Sequence, residues 1–168
     1  MRCYVILTLD RIILIGIWII MSVLLILTVP RIKIREAFVI FSFKQMETWL
    51  LGLLVVHYNL LEYPVREFAN VAQNSFSFEY FIYPAICVVF NMKFPEKKGI
   101  IQKTLWYLFF PSWMTALEVM LEKHTHLIHY ITWHWYWTWI SLLITFYVDR
   151  SFYLWFIRKQ TGGIRSAK

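Results

Sequence analysis

Residues 12–29, IILIGIWIIMSVLLILTV, hold no charged side chain over 18 positions. As a helix this run is about 27 Å long, close to the hydrocarbon thickness of a bilayer. Few other folds accommodate it. The run is longer than the apolar region of a cleaved leader, and no small-x-small site precedes Val29-Pro30-Arg31, so an uncleaved anchor is expected.

Four more segments are long enough to span: residues 37–61, 76–94, 101–121 and 127–148, each with polar groups of its own. The chain is 60% hydrophobic, more than a soluble domain of 168 residues can hide. No polar domain, repeat or low-complexity tract separates the segments. The expectation is an all-α fold, one membrane domain over residues 1–168, a polytopic bundle of five transmembrane helices.

Basic residues sort by connection. Arg31, Lys33 and Arg35 follow the first segment, Lys93, Lys97, Lys98 and Lys103 surround the third connection, and Arg150, Arg158, Lys159, Arg165 and Lys168 follow the last segment. The other two connections hold only Arg66 and Lys123. Positive loops stay cytoplasmic, which predicts an outside N-terminus and a cytoplasmic C-terminus, although Arg2 and Arg11 lie on the other side. The net charge of +7 then reports topology and suits an anionic inner leaflet. Spread over three loops, it argues against nucleic acid as a partner.

The stretch YITWHWYWTWI (130–140) alternates Trp with other residues, a strand-like pattern. A lone strand leaves its backbone groups unsatisfied in lipid, so a helix is expected, with Trp133 and Trp137 on one face and Trp135 and Trp139 nearly opposite. His134, Thr138, Ser141, Thr145 and Asp149 then form a polar stripe between them. The indoles fit an interfacial belt better than a cage for a quaternary amine.

Matching stripes occur in the other segments: Thr104, Tyr107, Pro111, Thr115, Glu118 and Glu122 in the fourth, Glu79, Tyr83, Cys87 and Asn91 in the third, and Lys44, Glu47, Tyr58 and Glu62 in the second. The first run has none. Ionisable groups facing lipid are costly, so the stripes should meet in a seam, with the first helix packed outside it. Lys44 and Glu47, three apart, can neutralise each other. Pro64 is placed to start a short surface helix with Val65, Phe68 and Ala72.

With this topology Glu62, Glu79, Glu118, Glu122 and His134 fall toward the outer leaflet. Together with Arg66, Tyr83 and Thr138 they are the candidates for binding a ligand or proton. Glu118, Glu122, His126 and His129 offer oxygen and nitrogen donors to a divalent metal, but no HExxH or ExxH motif supports that. No other cofactor is expected. No GxSxG, phosphate loop or Cys–His pair at shared depth points to covalent catalysis.

The stretches LLEYPVREF (60–68), FEYFIYP (78–84), FPEKK (94–98) and WYWTWI (135–140) resemble a family of small five-span membrane proteins of spore-forming Gram-positive bacteria. That resemblance covers most of the chain after residue 30. It implies the same membrane fold and a bacterial inner membrane, and no reaction.

Three functional expectations follow. The leading one is a non-enzymatic membrane component that binds or conducts a small polar or cationic solute, or protons, alone as a homo-oligomer or within a larger complex. The second is a structural subunit whose seam only holds helices together and binds a partner membrane protein. The third is an intramembrane enzyme with a Glu/His site.

Overall fold

A computed structural model of the chain describes residues 2–68, 70 and 72–166, with side chains for 9–158 of these. Lys168, counted above among the basic residues, lies outside them. Five α-helices build the molecule: α1 (Arg2–Thr28), α2 (Ile34–His57), α3 (Tyr83–Met92), α4 (Ile100–His124) and α5 (Trp135–Ser166). A π-type segment, Ser77–Ile82, leads into α3.

α3 is the core element. Mostly apolar apart from the edge bearing Tyr83, Cys87 and Asn91, it is buried along most of its length. It packs against α1, α2 and α5, and α4 lies against α5. Phe90 of α3 is fully buried, its ring centroid 4.7 Å from Phe146 of α5 and 5.3 Å from Phe110 of α4. α1 sits on α3 and the π segment: Trp18 stacks on Phe81 at 4.0 Å and its indole N–H donates to Ser77 Oγ at 2.7 Å.

Pro84 has no N–H, so one helical donor is missing where the π register gives way to α3, and the carbonyls of Tyr80 (four residues back) and Glu79 (five back) take theirs from elsewhere. α2 supplies them. Gln45 Nε2 donates to Tyr80 O at 3.0 Å and Thr48 Oγ1 to Glu79 O at 2.7 Å. Tyr83 N bonds Phe78 O, five residues back.

α2 ends in a Schellman arrangement. Leu60 N bonds Val55 O at 3.0 Å and Asn59 N bonds Val56 O at 2.9 Å, with Asn59 in the left-handed region at φ 51. This turn aims the chain at the α4–α5 connection. There β1 (Leu61–Glu62) pairs antiparallel with β2 (His129–Tyr130), and Leu60 O accepts the N–H groups of Ile131, Thr132 and Trp133.

That pairing corrects the expectation for YITWHWYWTWI. Residues 129–133 spend their backbone groups on the α2–α3 connection, so the helix starts at Trp135 instead of 127. Trp133 lies before it, and His134 is exposed at its start. The expected helix after Pro64 does not form either. Among the described residues the segment is turns, held by Arg66, whose guanidinium donates to Tyr63 O at 2.7 Å and Ala72 O at 2.9 Å. α1 also differs. It extends to Arg2, so it includes Asp10, which is buried with Oδ2 unpartnered.

Three elements are long and apolar enough to cross a membrane: Leu9–Thr28, Arg31–His57 and Trp135–Arg158. Ser77–Met92 is apolar but shorter. α4 has the length, at 25 residues, but carries Gln102, Lys103, Glu118, Glu122 and Lys123. Large side chains such as Ile12, Ile19, Ile26, Phe38, Leu105 and Phe109 stand exposed, far more apolar surface than a monomer in water normally shows.

Candidate functional site

The two ends of the bundle differ in charge. Arg150 pairs with Glu96 of the α3–α4 connection and lies over the Phe94 ring at 4.1 Å, while Tyr153 OH donates to Glu36 Oε2 at 2.8 Å. These contacts gather the 31–36 turn, the 93–99 connection and this stretch of α5 at one end, which also carries Arg31, Lys33, Arg35, Lys93, Lys97 and Lys98. At the opposite end the β1–β2 pairing joins the connections that hold Glu62, Glu67 and three of the five histidines.

Between the ends, α2, α5, the π segment, α4 and the two paired connections line a partly open cavity of about 90 Å³, enough by volume for several waters. Glu79, Glu118, Tyr63, Tyr83, Thr48 and Thr138 are among its lining residues. The lining includes two carboxyls and no Lys, Arg or His.

Glu118 projects from α4 into a ring of hydroxyls. Tyr130 OH donates to its Oε1 at 2.6 Å, Thr138 Oγ1 to Oε1 at 2.8 Å, and Tyr83 OH to Oε2 at 2.9 Å. Trp133 Nε1 in turn donates to Thr138 Oγ1 at 2.8 Å, fixing that hydroxyl as a donor toward the carboxylate. Three O–H donors and no acceptor suit an ionised carboxylate, and bonds to a charged acceptor are the stronger kind.

Glu79 is held differently. Asn74 Nδ2 donates to Oε2, and Oε1 is buried without a donor. The carboxyl lies flat on α2 at Gly52, where a Cβ would overlap it. Glycine at 52 is what lets Glu79 reach the cavity. Tyr63 is buried near both carboxyls. Burial first, then the charges of Glu79 and Glu118, push its hydroxyl well above the ordinary tyrosine range, so it remains a proton donor.

Glu118 and Tyr83 are also part of the wall of an apolar cleft of about 230 Å³ between α1, α3 and α4. One carboxyl thus borders both the polar cavity and a largely hydrocarbon-lined surface recess.

The structure divides the sequence candidates. Glu79, Tyr83, Glu118 and Thr138 meet at the cavity. Glu62, Glu122, His126 and His129 line a separate recess at the histidine-rich end, open to the exterior. His134 stands apart, its Nδ1 3.0 Å from Thr132 O, and Arg66 is engaged by the carbonyls of its own turn. Glu118 therefore points away from Glu122, His126 and His129. Among the described residues no three His, Cys, Asp or Glu side chains are placed to share a metal ion.

Tyr63, Tyr130, Asn74, Trp133 and Gly52 escaped the sequence reading. The first four lie in connections, where helical periodicity gives no signal. Gly52 does flank the stripe of α2, but only the packing shows what it faces.

A fourth cluster lies nearer the basic end. Lys44 Nζ is 2.9 Å from Glu47 Oε2, as its spacing suggests, and also 2.9 Å from Asp149 Oδ2 of α5. Lys44 and Asp149 are 1% and 0% exposed.

No family model, curated protein or solved structure matches this chain. The functional reading therefore stands on the geometry.

Proposed function

We propose that this chain is a five-span integral protein of a bacterial inner membrane that binds a single small positive charge, a proton or a small cation, in the Glu79/Glu118 cavity. Three apolar helices support the membrane placement. The five-span reading takes Ser77–Met92 and α4, packed into the same bundle, as the other two crossings. The basic end is cytoplasmic by the distribution of Lys and Arg, which puts the N-terminus and the cavity on the outer side. The family resemblance of the four stretches at 60–68, 78–84, 94–98 and 135–140 points the same way.

One observation carries the binding reading: two buried carboxyls share a cavity whose lining has no cation. In a low-dielectric surround each carboxyl draws positive charge, and the hydroxyls of Tyr63 and Tyr83 lie in the same lining. The oligomeric state and any membrane-protein partner follow from neither feature.

The structural reading has its own support. Glu118 ties α4 to α3, β2 and α5 through three hydroxyls, as interhelical hydrogen bonds do. Melting the detergent-solubilised protein in sodium, potassium, ammonium or choline at fixed ionic strength, and across pH, separates the two. The binding reading expects one small cation, or the proton, to raise the melting temperature by several degrees. Glu79→Gln should abolish that response. A melting temperature indifferent to cation and pH, with Glu118→Gln merely less stable, leaves only the structural role.

A further inference from the structure

We propose that the Lys44–Glu47–Asp149 cluster is a second proton-binding site, and that it receives its proton from the Glu79/Glu118 cavity along the α2–α5 interface. The inference rests on the cavity reading above and extends it to a path across the molecule.

The charge count comes first. One ammonium lies between two carboxyls at 2.9 Å each, with Lys44 and Asp149 sealed from solvent. The cluster is neutral only when one carboxyl carries a proton, and an uncompensated charge at this depth is costly. The remaining acceptors agree with a group that gains and loses a proton. Asp149 Oδ1 and, on the adjacent α3, Asn91 Oδ1 are buried without a well-aligned donor, with the Cys87 thiol and the Glu47 carboxyl close to the Asp149 carboxyl. The ionisable groups facing the cluster are Lys44 and Glu47 on α2, Cys87 on α3 and Asp149 on α5. Arg150, next in sequence to Asp149, turns away to Glu96 and to the rings of Phe94 and Tyr153.

Continuity comes second. Thr48 and Thr145 line the cavity, and each stands one helical turn from the cluster, Thr48 from Lys44 and Thr145 from Asp149. One turn is about 5.4 Å, a gap that a single water bridges. Thr48 Oγ1 touches both regions, bonding the carbonyls of Lys44 at 2.8 Å and of Glu79 at 2.7 Å. Glu47 is the least buried member of the cluster, its side chain 17% exposed, and is where the proposed path leaves it.

The step balances. An O–H bond breaks on a cavity carboxylic acid, water relays the proton, and an O–H bond forms on Asp149 or Glu47. The first carboxyl becomes a carboxylate, the second becomes neutral, and one charge moves inward.

The test uses the full chain in liposomes that enclose a pH-sensitive dye, with potassium and valinomycin setting a negative interior. Wild type should acidify the lumen, and Asp149→Asn should slow this at least tenfold. Because Asp149→Asn removes half of the charge facing Lys44 and risks the fold, Glu47→Gln serves as the second variant, its helicity checked by circular dichroism. The same slowing is expected. In nanodiscs, the infrared carboxylic-acid C=O band of wild type should weaken in one or both variants. A wild type that leaves the lumen pH unchanged, or folded variants that acidify it at the wild-type rate, overturns the proposal. If those conducting variants keep the cation- or pH-dependent melting of wild type, the cavity reading survives and only the inner site fails. Loss of that melting response in wild type itself removes both.

Discussion

At the scale of single residues, Gly52, Thr138 and Tyr130 decide how the two cavity carboxyls are held. Gly52→Ala puts a methyl where the Glu79 carboxyl lies, but the obstructed atoms are the far end of a flexible side chain. Alanine also favours a helix over glycine by up to about 1 kcal/mol. The variant should therefore fold within about 1 kcal/mol of wild type while losing the cation- or pH-dependent rise in melting temperature. Thr138→Val should be worse for stability, by about 1–3 kcal/mol, because it strips a donor from Glu118 and leaves the Trp133 N–H unpaired. Thermal melting ranks the two. Tyr130 sets a pH limit. Burial, then the adjacent Glu118 carboxylate, push its hydroxyl above the ordinary value of 10.0. Its contribution is then complete below about pH 10 and fades as the pH climbs further, because the unfolded chain releases the proton first. Tyr130→Phe should flatten the alkaline arm of a stability–pH curve. A steeper arm would show the hydroxyl ionising more readily in the fold.

At the scale of elements, the π segment and α2 form a matched pair. Pro84 and the change from π to α register leave two carbonyls free, and Gln45 and Thr48 occupy them. Pro84→Ala restores an N–H, so the Thr48 hydroxyl bond becomes partly redundant. A double-mutant cycle of Pro84→Ala with Thr48→Val should show a coupling of about 0.5–3 kcal/mol, the double variant losing less than the sum of the single changes. Strict additivity would break the link. The same elements show how far periodicity reaches. The stripe along the π segment and α3 was readable because residues 79, 83, 87 and 91 are spaced four apart. The start of α5 was not, because residues 129–133 fit a helix locally and are drawn out of it by Leu60 and Glu62, some 70 positions away in sequence. A backbone pairing of that range leaves no mark in either segment's own pattern.

At the scale of the whole molecule, the membrane reading makes an orientation prediction. Single cysteines replacing Lys97 and Lys123 should be modified by an impermeant thiol reagent from opposite faces of right-side-out cells, Lys123 from outside. Labelling of both from one face would remove the five-span arrangement. The sequence alone determined the abundance of lipid-compatible helices, the sorting of basic residues and the polar edge of every helix but the first. Those follow from local composition and from the 3.6-residue repeat, which act within a few turns. Only the tertiary structure decided which polar edges meet. It placed Glu79 and Glu118 at one cavity and sent Glu62 and Glu122 to an outer recess. It also joined Lys44 to Asp149, more than 100 positions away. The reason is physical: a buried charge is satisfied by whatever packing brings within about 3 Å, and a helix's own sequence does not specify its neighbour.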